Sequence, residues 1–243
     1  MKALVFVIRL NSLYSIRIPF TWQSALTYPV LPPSAIIGML ANSIQRYKND
    51  RHPLHYLELI EKELILARSR LIEPAVTKSY ITSVITKWQD NYPGGKFTNA
   101  LGREFAYSKM IQVLAVFNDE SKIEDITESL HRAPLTCGDS ESPVSIEGEI
   151  LIKEISEVRE NEVITEFPIP FHKEINIIEG DGRVYLMHER CLKNNDGFPL
   201  TSFMVPIRED NGLLRPSYLR LRVTNEKILE IKDTGKVIIN KGF

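Results

Sequence analysis

Cysteine is scarce in this sequence. The 243 residues include two cysteines, Cys137 and Cys191, which are too few for a disulfide framework and lack the spacing of a metal-ligand motif. Free thiols are typical of a reducing compartment, so we expect a cytoplasmic location. No apolar run is long enough to span a bilayer as a helix, and the apolar start of the chain is short and interrupted by Arg9. We therefore expect no membrane partner.

Motifs that mark catalytic centres are also missing. The sequence has no glycine-rich phosphate loop, no nucleophile elbow and no histidine pair with metalloprotease spacing. We therefore expect a non-enzyme without a metal or another cofactor. One alternative stays open, because metal-free RNA cleavage needs only a general acid and a general base. His131 or His172 could act in this way together with Tyr and Lys side chains.

The net charge is only −1, but the charges are unevenly distributed along the chain. Residues 1–118 carry 14 Lys and Arg against 7 Asp and Glu, whereas residues 119–243 carry 16 against 24. Such asymmetry is typical of proteins in which one half binds a polyanion such as nucleic acid. The alternative is that two surfaces simply differ in charge, and the sequence leaves both interpretations open.

The order of hydrophobic patterns predicts an α+β fold. Lys2–Leu10 is apolar on both alternating faces, which indicates a central strand. A proline-flanked helix, a minor helix, two strands, a helix and a strand follow, in the order of the ferredoxin-like fold of RNA-recognition modules. Beyond Ser156 only short strands separated by turn dipeptides are expected. We predict a ferredoxin-like RNA-binding domain over residues 1–155 and a small β-rich C-terminal lobe over residues 156–243.

Two helix starts have recognisable signals. Pro32 and Pro33 precede Ser34, which is predicted to be the N-cap of the first long helix. Gly38 in its first turn is unfavourable for a helix and indicates that another backbone, or an anion at the helix N-terminus, comes close. Ser121 and Glu124 have the spacing of a capping box at a later helix.

A long β-hairpin arm is predicted within the first domain. The strand-like segments Lys78–Trp88 and Arg103–Phe117 flank a turn at Asn91–Gly95. Their aromatic residues alternate with Lys and Arg, as single-stranded nucleic acid requires, because bases stack on rings while cations follow phosphates. The alternative is that these are half-buried sheet residues. The candidate RNA-binding residues are Arg17, Ser34, Lys78, Lys87, Trp88, Lys96, Arg103, Tyr107 and Lys109.

Three stretches of the sequence resemble the Cas-five family of CRISPR-associated proteins, in the repeat-associated RNA-binding superfamily. They span about residues 1–150 in matching order, and the overall texture is most similar to the archaeal type I-A branch. The stretches are Pro32-Pro33-Ser34 with Gly38, Arg103-Glu104-Phe105 before a long strand, and Pro134-Leu135 followed by Gly138-Asp139-Ser140-Glu141-Ser142-Pro143.

This resemblance implies a subunit of the Cascade surveillance complex in antiviral defence. Such a subunit binds the 5′ handle of CRISPR RNA, caps the backbone filament beside the backbone subunit, and contacts the large or small subunits. One branch of the family cuts precursor RNA with a Tyr-Lys-His set, which does not map onto this sequence residue by residue. We therefore expect a non-catalytic subunit. The alternatives are a metal-independent endoribonuclease and a protein-interaction module that does not bind RNA.

Overall fold

A computed structural model describes residues 1–21, 24–88, 96–138, 142–192 and 197–239, with the backbone alone for 82–88 and 96–101. The helices are α1 (Pro33–Lys48), α2 (Pro53–Glu63) and α3 (Ile123–Arg132). The strands are β1 (Lys2–Leu10), β2 (Ser24–Ala25), β3 (Leu64–Leu71), β4 (Ala75–Trp88), β5 (Lys96–Ser108), β6 (Met110–Phe117), β7 (Leu135–Thr136), β8 (Pro143–Val158), β9 (Glu162–Thr165), β10 (Ile169–Pro170), β11 (Ile175–Gly180), β12 (Arg183–His188), β13 (Leu200–Val205), β14 (Ile207–Asp210), β15 (Leu213–Pro216), β16 (Leu219–Val223), β17 (Lys227–Ile231) and β18 (Gly235–Ile239).

The central sheet confirms the predicted α+β, ferredoxin-like fold. Its strands run in the order β8-β1-β6-β3, and every pair among them is antiparallel. With α1 and α2 between β1 and β3, and α3 between β6 and β8, this is the split βαβ arrangement. β1 is central because it is apolar on both faces: Phe6 and Ile8 pack with the helices, while Ala3 and Val5 pack with Leu229 of β17.

The predicted capping signals at two helix starts are wrong. The residue before α1 is Pro32, no side chain caps this helix, and Ser34 lies inside the first turn. Proline at the first helical position needs no cap partner of its own, because it has no N–H group. α3 likewise begins without a side-chain cap, and the Ser121 hydroxyl donates to Asp119 Oδ2 at 2.7 Å instead.

The predicted arm is present as the β4–β5 hairpin. Its register runs from Ala75 opposite Ser108 to Trp88 opposite Lys96, and the predicted turn at 91–95 lies outside the described residues. The single strand predicted over Arg103–Phe117 is in fact two strands, β5 and β6. The chain leaves the arm at Ser108, whose buried hydroxyl lies 3.2 Å from the Met110 carbonyl, and there it joins the central sheet.

The C-terminal part forms small antiparallel sheets. β12, β13 and β10 make one, β9, β16 and β11 make another, and β14 and β15 extend the arm sheet. β17 pairs with the end of β8, from Val158 opposite Ile228 to Ile155 opposite Ile231. The predicted boundary at 155/156 thus lies inside β8. In the described chain, no helix has the length and apolarity needed to cross a membrane.

Candidate nucleic-acid interface

Cations and aromatic rings share one face at the base of the arm. Because side chains alternate along a strand, the register places five of them on the same face. Lys78 pairs with Phe105 and Tyr80 with Arg103, while Tyr107 pairs with Val76. We call this set the arm ladder: Lys78, Tyr80, Arg103, Phe105 and Tyr107.

Two rings of the arm ladder, those of Tyr80 and Phe105, contact each other edge to face. The ring centroids of Tyr80 and Phe105 are 5.8 Å apart, and the interplanar angle is 71°. The Arg103 guanidinium lies over the Phe105 ring, 4.9 Å from its centroid. Tyr80 and Tyr107 remain exposed. This face therefore offers open aromatic surface beside positive charge, which is what a splayed base and its phosphate require.

The opposite face of the arm is anchored to the protein. Ala106 is buried and exchanges both backbone hydrogen bonds with Tyr14, at 3.0 and 2.8 Å. The Glu104 carboxylate accepts from the Thr27 backbone N–H at 2.9 Å, and the Ser15 hydroxyl donates to the Glu104 carbonyl at 2.8 Å. The base of the arm is thus fixed by the segment between β1 and α1, so the arm ladder has a defined direction.

The other predicted arm residues lie towards the far end of the hairpin and at the end of β5. Lys87 and Trp88 lie near the end of β4, and Lys96 begins β5, but their side chains lie outside the described residues. Lys109 is exposed at the junction of β5 and β6, where its carbonyl accepts from the Leu10 N–H at 3.0 Å. Within the described chain, neither Lys78 nor Lys109 has an ion-pair partner.

Arg17 and Ser34 lie apart from the arm ladder. Arg17 is exposed, and its guanidinium donates to the Thr21 carbonyl, with Nε at 3.1 Å. Ser34 lines a cavity of about 500 Å³ beside α1. The same cavity reaches Gly38, Asn42 and Arg46. A Cβ atom at Gly38 would meet no heavy atom within 4 Å, so the expected close approach of another backbone of this chain is wrong.

Ion pairs across the fold neutralise much of the charge asymmetry. Cations of the first half pair with acids of the second, whereas Lys78 and Lys109 at the arm have no ion-pair partner among the described residues. These pairs are Lys2 with Glu154, Arg9 with Glu147, Lys48 with Asp125, Arg68 with Glu189, and Arg70 with Glu166.

Several charges of the C-terminal lobe pair with one another. The Arg222 and Arg220 guanidiniums donate to Glu162 at 3.2 and 3.1 Å and hold the pKa of this carboxyl below its ordinary value. Lys236 is 2.6 Å from Glu160. A lobe with paired charges should bind a polyanion weakly, because each contact with a phosphate would first break an internal ion pair.

The sequence offered no signal for a pair of buried contacts that join the two parts of the chain. Arg68 is fully buried, donates to Glu189 at 2.8 Å and stacks on Phe203. Next to it, Arg190 donates to the carbonyls of Leu64 and Ile65 at 2.9 and 3.0 Å. Arg68 follows the alternation of a half-exposed strand, so only the tertiary structure reveals that it is buried.

Four of the histidines have local partners. His52 accepts from the Leu54 N–H at 3.3 Å as the cap of α2, and His55 Nε2 is 3.0 Å from Arg51. His188 Nδ1 is 3.3 Å from the Pro199 carbonyl. His172 lies 3.8 Å from Glu226, and His131 is exposed near the end of α3.

Compared by sequence, the chain matches no protein-family model and no curated protein. Compared by structure, it is similar to a CRISPR protein from Archaeoglobus fulgidus, with a TM-score of 0.64, 13% identity and 99% of each chain covered. It is also similar to a chain of the Type III-B Cmr-beta complex bound to cognate target RNA and AMPPnP, with a TM-score of 0.52 and 9% identity over 90% of this chain and 86% of that one. The chain therefore has the fold of these CRISPR proteins.

Proposed function

We propose that this chain is a non-catalytic, RNA-binding subunit of a type I CRISPR surveillance complex. In this proposal it holds the 5′ handle of CRISPR RNA and caps the backbone filament, next to the backbone subunit and within reach of the large or small subunits. The shared fold with CRISPR proteins supports the proposal. The motifs around Ser34, Arg103 and Pro134 favour a Cas-five subunit, and the overall texture of the sequence favours the archaeal type I-A branch.

The arm ladder is the observation that carries this proposal. Two exposed tyrosines and two cations share a face that is fixed at its base, so a single strand can stack its bases there without ordering the protein first. Stacking of a base on an aromatic side chain contributes about 1–3 kcal/mol and tolerates any base. The cavity beside Ser34 and Gly38 is a second place for a phosphate or an extruded base of the same strand.

The experiment is a salt titration of RNA binding. Full-length protein is titrated into labelled CRISPR RNA with its 5′ handle, and anisotropy is recorded at several salt concentrations. For single strands, log K should fall with log salt by about 0.7 per phosphate neutralised. The double variant Lys78→Glu, Lys109→Glu should bind more weakly and with a smaller slope. Lys227→Glu, which removes a cation paired with Glu157 in the C-terminal lobe, is the matched control.

Two outcomes would replace the proposal. Absence of RNA binding at low salt would favour a protein-interaction module. Cleavage of labelled repeat RNA by the same protein in EDTA would favour the metal-independent endoribonuclease. Intact RNA together with salt-dependent binding is the expected result.

A further inference from the structure

A bulky aromatic residue has a left-handed backbone conformation at the tip of a tight turn between β1 and β2. The turn consists of Ile18, Pro19, Phe20 and Thr21, and we call it the Phe20 turn. Phe20 has φ +64° and directly follows the proline. In type II turns this position, after a proline, takes a positive φ and is usually Gly or Asn. A residue with a large side chain is unfavourable there.

The fold gains little from the Phe20 ring in return. Phe20 is 71% exposed, against 52% for Tyr80, so its ring contributes little through burial. Other groups hold the turn closed: the Thr21 hydroxyl donates to the Ile18 carbonyl at 2.8 Å, and the Arg17 guanidinium donates to the Thr21 carbonyl. Backbone strain that the surrounding structure imposes in this way is typical of functional sites.

The Phe20 turn is joined to the arm beside the arm ladder. After the turn the chain enters β2, which pairs in parallel with β5 and places Ala25 opposite Arg103. The Ile18 N–H donates to the Leu26 carbonyl at 2.8 Å, so the two sides of the turn are also bonded to each other. On its other side, Arg103 lies opposite Tyr80 of β4. The Phe20 turn is therefore fixed to the edge of the arm sheet, next to the arm ladder.

We propose that Phe20 is a second stacking site for an unpaired RNA base. This inference rests on the proposed RNA-binding function and extends the path of the strand from Tyr80, past Arg103, to the β2 edge of the arm sheet. An exposed ring at a fixed apex can stack on a base without first being ordered. The exposed Arg17 guanidinium has five N–H donors, so its bonds to the Thr21 carbonyl leave others for a phosphate. A ring flanked by cations fits nucleic acid better than an apolar pocket of a protein partner.

The first test separates the ring from the strain of the backbone. Phe20→Asn removes the ring and introduces a residue that tolerates a positive φ, so the melting temperature should equal or exceed that of the natural protein. Its affinity for CRISPR RNA with the 5′ handle, measured by anisotropy, should fall about 5- to 150-fold. Phe20→Trp should keep the affinity, because stacking requires only a ring. Phe198→Asn is the matched control, since it removes a ring that is 57% exposed in the C-terminal lobe.

The affinities distinguish this inference from the proposed function. If the natural protein binds RNA and Phe20→Asn binds it equally well, the stacking site at Phe20 is overturned while the proposed function remains. An equal loss of affinity in Phe198→Asn would also overturn the stacking site, because the effect would not be specific to this ring. Absence of RNA binding by the natural protein would overturn both.

The second test detects the contact itself. Iodouridine is placed at each position of the 5′ handle in turn, and the complex with the natural protein is irradiated. Mass spectrometry should find an adduct on Phe20 from adjacent handle positions. Adducts confined to Tyr80 and Tyr107 of the arm ladder would overturn the stacking site, even if Phe20→Asn bound RNA more weakly, because the substitution would then act through the fold.

Discussion

Tyr80 is the side chain on which the proposed RNA contact can be tested most directly. It lies on the arm ladder with 52% of its surface exposed, and its neighbour Ile81 points to the opposite face with 82% exposed. Tyr80→Ala should reduce RNA affinity by about 5- to 150-fold, which is the loss of one stacking contact of about 1–3 kcal/mol. The measurement is anisotropy at one salt concentration.

Ile81→Ala is the control for that experiment. It removes a comparable exposed apolar surface from the same strand without touching the arm ladder, so RNA affinity should not change. A similar loss of affinity in both variants would show that the arm acts through its overall structure and not through the face that carries the cations.

The contribution of Cys191 to the free energy of unfolding should depend on pH in the alkaline range. Burial raises the pKa of its thiol from 9.0 to about 12, and the sulfur donates to the Ser34 carbonyl at 3.1 Å. Between these two values the unfolded chain loses the proton while the folded chain keeps it, so the free energy of unfolding should fall as pH rises from 9 towards 12. Below pH 9 this contribution is complete.

The comparison for Cys191 is a Cys191→Ala variant, because lysines and tyrosines titrate in the same range. Urea unfolding of the two proteins from pH 8 to pH 11 should give curves that converge as pH rises. Parallel curves would mean that folding does not raise the pKa of the thiol. Alkylation gives a second readout, since the native thiol should react slowly at pH 8.

At the scale of elements, α1 contains a glycine, Gly38, at a position where the fold has room for a side chain. Gly38 has helical conformation, and its added Cβ would meet nothing within 4 Å. Gly38→Ala should therefore stabilise the protein by about 1 kcal/mol, in line with the helix propensities of the two residues. Gly180→Ala is a contrasting control, because its Cβ would lie 1.9 Å from the Tyr218 carbonyl oxygen at φ +101°. The midpoint of urea unfolding measures both.

A larger side chain at Gly38 tests the cavity itself. Gly38→Leu should fold normally and partly fill the space beside Ser34 and Arg46. If RNA affinity falls while stability holds, a ligand uses the cavity. Unchanged affinity would show that no part of the RNA approaches this turn of α1.

The elements of the first half were largely predictable, because their patterns are long and regular. β1 is apolar on both faces, α1 begins at the second residue of a proline pair, and β4 of the arm is rich in β-branched and aromatic residues. The errors occurred at element ends. Ser34 has the chemistry of a cap but lies two residues after the cap position at Pro32, and the break between β5 and β6 depends on how Ser108 is buried.

The candidate site was only partly predictable. Alternation placed Lys78, Arg103 and Tyr107 on strands, but the pairing register that brings them to one face also depends on the arm turn and on its anchors. The contact of His172 with Glu226 could not be predicted, since the two residues meet only through the β11–β16 ladder. The predicted boundary between residues 155 and 156 remains a prediction, although β8 crosses it.

At the scale of the whole molecule, the buried pair of Arg68 and Glu189 connects β3 with the chain after β12. Arg68→Ala should destabilise the protein by about 3–5 kcal/mol, because it leaves the Glu189 carboxylate buried without its guanidinium. The double variant Arg68→Met, Glu189→Leu should recover most of that loss, because it removes both charges and keeps the volume. Equal losses in single and double variants would assign the effect to packing alone. Urea unfolding measures both.

β8 also has a mechanical consequence. One continuous strand pairs with β1 along its first part and with β17 at its end. The hydrogen bonds of antiparallel strands run perpendicular to the strand axis. A pull on the C-terminal lobe along β8 would therefore load the bonds to β1 in shear, all at once, and would not unzip them one by one. Tension on the lobe would therefore reach the central sheet through one stiff strand, and the lobe would resist separation from that sheet in this direction.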